Sequence, residues 1–132
     1  MPVAGSGEEV KMTGDFSQFD LMHEIADSER QKPWSAGIHA RILTKKPDFR
    51  VVLISMETAA RLKEHHVDGT SSVQVLKGQI RYSTGGQAHD LRTGSLITLG
   101  ASITHEVESL DESAFLLTIS WPASRQQPVS TA

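Results

Sequence analysis

From Gly37 to Trp121 the apolar residues recur with a period of two, and turn signals interrupt them every few residues. "IHARILT" places Ile38, Ala40 and Ile42 on one face, and "KKPD" reads as a turn. "FRVVLISM" and "AFLLTISW" are apolar on both parities, the mark of strands covered on two faces. "ETAA" and Asp68-Gly69 read as turns, and Gly85-Gly86 as the two-residue connection of a hairpin. Between these lie "RLKEHH", "SSVQVL", "QIRYST", "QAHDLR", "SLITL" and "THEVESL". About nine short strands joined by tight turns predict an antiparallel sandwich or barrel.

One helix precedes them. Phe16, Phe19, Met22 and Ile25 recur every three residues, Ala26 completes the stripe, and Asp15 with Gln18 fits a capping box. The spacing predicts an amphipathic helix over 15–30 within a single domain over 15–121, long enough for a real core. Residues 1–14 and 122–132 are polar and are expected to be mobile. The net charge of −3 is scattered along the chain, which argues against a nucleic-acid surface. With no cysteine, thiolate metal sites, disulfides and Cys nucleophiles are excluded. No basic n-region with an apolar run opens the chain, and no apolar stretch spans a membrane, so a cytoplasmic protein without nucleic-acid or membrane partners is expected.

Chemistry concentrates in "AARLKEHHVDGTSSVQVLKG" and "GSLITLGASITHEVES". Their spacing resembles the two motifs of a small single-domain, RmlC-like cupin. The first family motif is G(x)5HxH(x)3–4E(x)6G. Ala59 stands at its first glycine, His65 at the first histidine, Val67 at the second, Ser71 at the glutamate and Gly78 at the last glycine. The second is G(x)5PxG(x)2H(x)3N, on which Gly94 and His105 match, while Gly100, Ser102 and Ser109 stand at its other positions. The resemblance covers about 49–121. It implies an all-β fold, the cupin-type antiparallel jelly-roll barrel (double-stranded β-helix), here with one short N-terminal helix.

In the intact family three histidines and a glutamate hold one divalent metal inside the barrel. Neutral imidazoles with a carboxylate suit first-row metals. Here His65 and His105 stand at matched positions. A second register puts Glu64 and His66 at the two histidine positions, giving Glu64, His66 and His105. Strand alternation groups Leu62, Glu64 and His66 on one face and Arg61, Lys63 and His65 on the other. A bulge in the strand overrides either register. The candidate metal residues are therefore Glu64, His65, His66 and His105. Ser71 and Gln74 are candidate lining residues of a ligand pocket. His23, His39 and His89 have no partner in the pattern, and Ser71-Ser72 lacks the context of a serine nucleophile.

The expected function is a small-ligand-binding cupin with a weak or absent divalent metal site and no nucleotide or organic cofactor. The alternative is a metal-dependent dioxygenase, isomerase or lyase acting on a small molecule. A homodimer is expected as well, because one short helix cannot cover the outer faces of both doubly apolar strands.

Overall fold

In the computed structural model, which describes residues 10–11, 15–65 and 68–122, the alternating segments become strands in two facing antiparallel sheets. A short ribbon pairs β1 (Val10–Lys11) with β2 (Ser17–Gln18). Helix α1 (Leu21–Glu29) and a 3-10 turn (Ser35–Gly37) lead into β3 (Ile38–Lys46) and β4 (Phe49–Met56). Then come β5 (Arg61–His65), β6 (Thr70–Lys77), β7 (Gln79–Thr84), β8 (Gln87–Arg92), β9 (Leu96–Leu99), β10 (His105–Ser109) and β11 (Ser113–Ser120). The five-stranded sheet runs β3-β4-β11-β6-β9 and the four-stranded sheet β5-β10-β7-β8. Apart from the hairpins β3–β4 and β7–β8, consecutive strands from β4 to β11 cross between the two sheets, the signature of a jelly roll. The ends expected to be mobile fall largely outside the described residues.

Alternation places the core. Val52, Ile54 and Met56 of β4 and Phe115 of β11 face inward onto Val73 and Val75 of β6, and onto Ile80, Tyr82 and Val107 of the opposite sheet. The other parity of β4 and β11 is apolar too, and it meets the helix: Leu53 and Ala114 pack with Ile25 and Leu43, flanked by Phe19, Leu21, Val51 and Leu116. Fully burying such a side chain stabilises by roughly 1.5–3 kcal/mol. One chain thus buries Val52 and Ile54 and covers Leu117 in part. The helix covers the outer faces of both strands in part, while Ile42, Phe49 and Leu96 stay exposed within one chain.

The helix starts later than its stripe predicts. Ser17 and Gln18 are held extended in the ribbon, so a capping box from Asp15 cannot form. Asp20 caps instead, accepting from the His23 N–H at 3.2 Å. The buried face also differs. Phe16, Met22 and Ala26 are exposed, whereas Glu24, Ile25, Asp27 and Ser28 are buried. Arg41 of β3 explains the buried carboxylates. Its guanidinium reaches Glu24 Oε1 and Asp27 Oδ2, each at 2.8 Å, and Arg30 takes the other Asp27 oxygen at 2.8 Å. Hydrogen bonding from Arg41 leads the causes that hold the Asp27 carboxyl below its ordinary range. Arg41→Ala leaves two buried carboxylates short of their cation and is expected to cost about 3 kcal/mol, read as a lower urea midpoint.

Beside this cluster His39 packs against Trp34, ring centroids 5.9 Å apart, and its Nδ1 is buried without a partner among the described residues. Burial pushes the imidazole below its ordinary value of 6.5, Arg41 repels its proton further, and Asp27 offsets part of this. The unfolded chain therefore binds this proton more readily than the folded one. The stability contributed is complete above pH of about 6.5 and is lost as pH falls from there through the lower folded value. Denaturation midpoints between pH 7.5 and 5 should fall in the wild type, and His39→Gln should remove that share of the slope while leaving the carboxylate-driven loss at lower pH.

Gly78, between β6 and β7, has φ of +76°. A Cβ there would lie 2.6 Å from Ser113 Oγ and closer still to the Glu112 carbonyl oxygen. Gly85 is also left-handed, but a Cβ there meets nothing. Gly78→Ala is expected to cost about 2–3 kcal/mol and Gly85→Ala about 1 kcal/mol, both read by chemical denaturation.

Candidate functional site

The registers of β7, β10 and β5 stack inward-facing positions in rows. At the mouth, Thr84 and His65 flank His105 as its cross-strand partners. One row deeper, Tyr82 and Leu62 flank Val107. At the far end Ile80 pairs with Ser109, whose N–H donates to the Ala60 carbonyl. Across the barrel, the equivalent rows hold Ser71 with Leu99 and Ile119, then Val73 with Ile97 and Leu117. Polar groups therefore gather at the mouth and apolar ones below it. At the far end Ser109 and Ser113 hydroxyls lie 3.2 Å apart, and Ser113 donates to the Gln79 carbonyl at 3.0 Å.

His105 is the best-defined member. It opens β10, is 7% exposed, and stacks on Tyr82 with centroids 5.0 Å apart and planes at 22°. Its Nδ1 lies 3.2 Å from the Ile103 carbonyl oxygen. A proton on Nδ1 satisfies that carbonyl and leaves Nε2 as the lone-pair nitrogen, the arrangement that orients imidazoles toward metals or ligand protons. His105 borders a cleft of about 340 Å³ with Ser83, Thr84, Gly85, Gly86, Thr104 and Glu106. That volume sits near the low end of the range for small-molecule sites. Tyr82 is 1% exposed, burial raises the pKa of its phenol well above the ordinary value of 10, and its hydroxyl has no hydrogen-bond partner among the described residues.

Of the two adjacent histidines, His65 is placed by its backbone pairing. In β5, Leu62 pairs with Val107 but His65 pairs with His105, so an extra residue is accommodated between them. This bulge breaks the alternation assumed for both registers and sets His65 directly opposite His105. The side chains of Glu64 and His65, and all of His66, lie outside the described residues. The turn that follows is anchored: Trp121 Nε1 donates to Asp68 Oδ1 at 2.7 Å, and a Cβ on Gly69 would lie 2.5 Å from the Ser120 carbonyl oxygen. Of the expected lining residues, Ser71 is buried on the inward face. Gln74 is exposed on the outer parity, opposite Val73 and Val75, and strand alternation removes it from the barrel site. His23 and His89 are exposed. Among the described residues no group of three or more His, Cys, Asp or Glu converges as a metal site. The described donors thus fall short of the three or four protein ligands that a firm site uses.

Two glycine positions of the motifs keep their backbone without their residue. Ala59 has φ of 71° and Ser102 φ of 65°. Ala59 closes the turn into β5, donating to the Ser109 carbonyl at 2.8 Å. A left-handed non-glycine residue costs roughly 1–2 kcal/mol, and glycine's extra unfolded-state freedom returns part of this. Ala59→Gly should therefore raise stability by about 0.5 kcal/mol in urea denaturation.

No family model matches the sequence, and no curated protein does. Solved structures do match. A cupin superfamily protein from Desulfitobacterium hafniense is 14% identical with a TM-score of 0.66, covering 72% of this chain and 87% of its own. An RmlC-like cupin from Shewanella frigidimarina is 16% identical with a TM-score of 0.62, covering 67% and 80%. KdgF from a Halomonas species is 18% identical with a TM-score of 0.60, covering 70% and 87%. The chain has the cupin fold, an RmlC-like antiparallel jelly-roll barrel with one N-terminal helix. Among its described residues no helix is long and apolar enough to cross a membrane.

Proposed function

We propose that this barrel binds a small polar molecule at the mouth formed by His105, and holds a divalent metal weakly or not at all. The carrying observation is the His105 imidazole itself. It is buried at the border of a small cleft, stacked on one face and oriented by a backbone carbonyl. Such a group costs more to bury than an apolar one, and a site that exchanges hydrogen bonds with a ligand gives it a use. A second reading, a divalent-metal-dependent enzyme acting on a small molecule, is favoured by the register that sets His65 opposite His105. Imidazole ligands suit a first-row metal, which in such a centre acts as a Lewis acid or redox partner.

Elemental analysis of protein purified without a tag separates the two. Well below one metal per chain is expected, and a full equivalent that disappears in His105→Ala would replace the first reading by the second.

A further inference from the structure

The two outer faces of the sandwich differ in charge. On the four-stranded sheet Arg61 pairs with Glu106 and Glu108, and Arg81 with Asp90. On the five-stranded sheet the outward positions line up in rows across β4, β11, β6 and β9. The middle row runs Val51, Thr118, Ser72 and Thr98. On one side of it stand Leu53, Leu116, Gln74 and Leu96, and on the other Phe49, Ser120 and Thr70. None of these residues is charged. Helix α1 covers one end of the face, where Ile25 packs with Leu53 and Ala114, flanked by Val51 and Leu116. Beyond the helix the face is open, and Leu96 is 60% exposed beside the exposed Gln74 and Thr98.

A face that stays in water ordinarily intersperses charges of both signs, as the four-stranded sheet does. The core of an interface is depleted of them, because a charge taken from water costs several kcal/mol unless it is well paired. Hydroxyls, threonine methyls and leucines cost far less to cover. The lack of charge also selects the occupant. An acidic or a basic partner finds no counter-charge in these rows. The outer face of the four-stranded sheet is a poor fit as well, since docking there would strip water from Arg61, Arg81 and their carboxylates. The open face fits itself. Across a two-fold axis the residues nearest the axis meet their own copies, so any charge there would repel its like. Lys46, the neighbour of Phe49 on β3, stands at the rim and is paired with Asp15.

We propose that a second copy of this chain docks on the open face of β11, β6 and β9, so that two five-stranded sheets stack about a two-fold axis. Sheets packed in this way lie roughly 10 Å apart. The axis passes close to Thr118 and Ser72, the cross-strand pair at the centre of the middle row. The dimer is independent of what the barrel binds.

The test is sedimentation velocity of the full chain from micromolar to near-millimolar concentration. The wild type is expected to pass from monomer to dimer, and a monomer throughout overturns the proposal. Ser72→Lys and Ser72→Glu each bring two like charges together at the axis and should weaken the dimer by about tenfold or more. An equimolar mixture of the two should restore it, because opposite charges then meet. Unchanged association of Ser72→Lys, or a mixture no tighter than either variant alone, overturns the docking face. Ala88→Lys adds the same charge to the outer face of the four-stranded sheet, where Ala88 pairs with Ser83. It is expected to leave the dimer intact, and an equal weakening there would show an effect of net charge alone and overturn the face. Urea denaturation checks that each variant folds. Where Ser72→Lys does not, Thr98→Lys puts the charge on an exposed position of the same row and is expected to weaken the dimer by about as much.

Discussion

The structure depends on two strands that are apolar on both sides. β4 and β11 lie at the middle of the five-stranded sheet, paired over their whole length from Ser113↔Met56 to Ser120↔Phe49. Their inner parity builds the barrel core, and their outer parity has to be sealed from water as well. The N-terminal helix exists for that second face. This explains why a short helix with a modest apolar stripe is held so firmly. Ile25 supplies the apolar plug, while Arg41 receives the carboxylates of Glu24 and Asp27 on either side of it. Buried ion clusters add little net stability, but they admit few alternative dockings. The cluster fixes where the helix sits more than how tightly.

The barrel has a direction. Its far end is tied by serine hydrogen bonds and by the close approach of Gly78 to the β10–β11 turn. Its middle is apolar. Its mouth collects the His105 imidazole, hydroxyls and the glycine hairpin between β7 and β8. Rigid scaffold and polar opening are thus separated along one axis, the arrangement in which a fold shared by many functions carries its particular chemistry at one end. On the outer surface of the four-stranded sheet, charges pair across strands. Arg61 spans Glu106 and Glu108, and Arg81 pairs with Asp90, as expected of a solvated face.

Much of the fold was legible because strand parity and turn chemistry are local properties. Val73 and Val75 alternate with Gln74 in the sequence as they do in the barrel, and Gly85-Gly86 makes the hairpin its residues suit, with both φ values positive. What was hidden depended on distant pairing. The late start of α1 follows from the ribbon that holds Ser17 and Gln18, whose partners are Val10 and Lys11. The burial of Glu24 and Asp27 follows from an arginine on β3. Ala59 and Ser102 conceal left-handed turns because neither residue type advertises one. At the site, His105 was marked by spacing alone. Tyr82 was not marked at all, although its place between Ile80 and Thr84 on one parity put a polar tip on the inward side.

The irregularity in β5 acts on that strand as a shift of reading frame acts on a message. Upstream of it, Leu62 follows one phase against β10, and downstream His65 follows the other. Which residue stands opposite His105 is therefore decided by where the extra residue sits. The extra residue puts His65 there, whereas uniform alternation from Leu62 would instead bring Glu64 opposite His105. The same composition would then present a different residue to the mouth, with no substitution at all. The placing of one extra residue within a five-residue strand thus selects the backbone position that the opening receives, while the core beneath it stays unchanged.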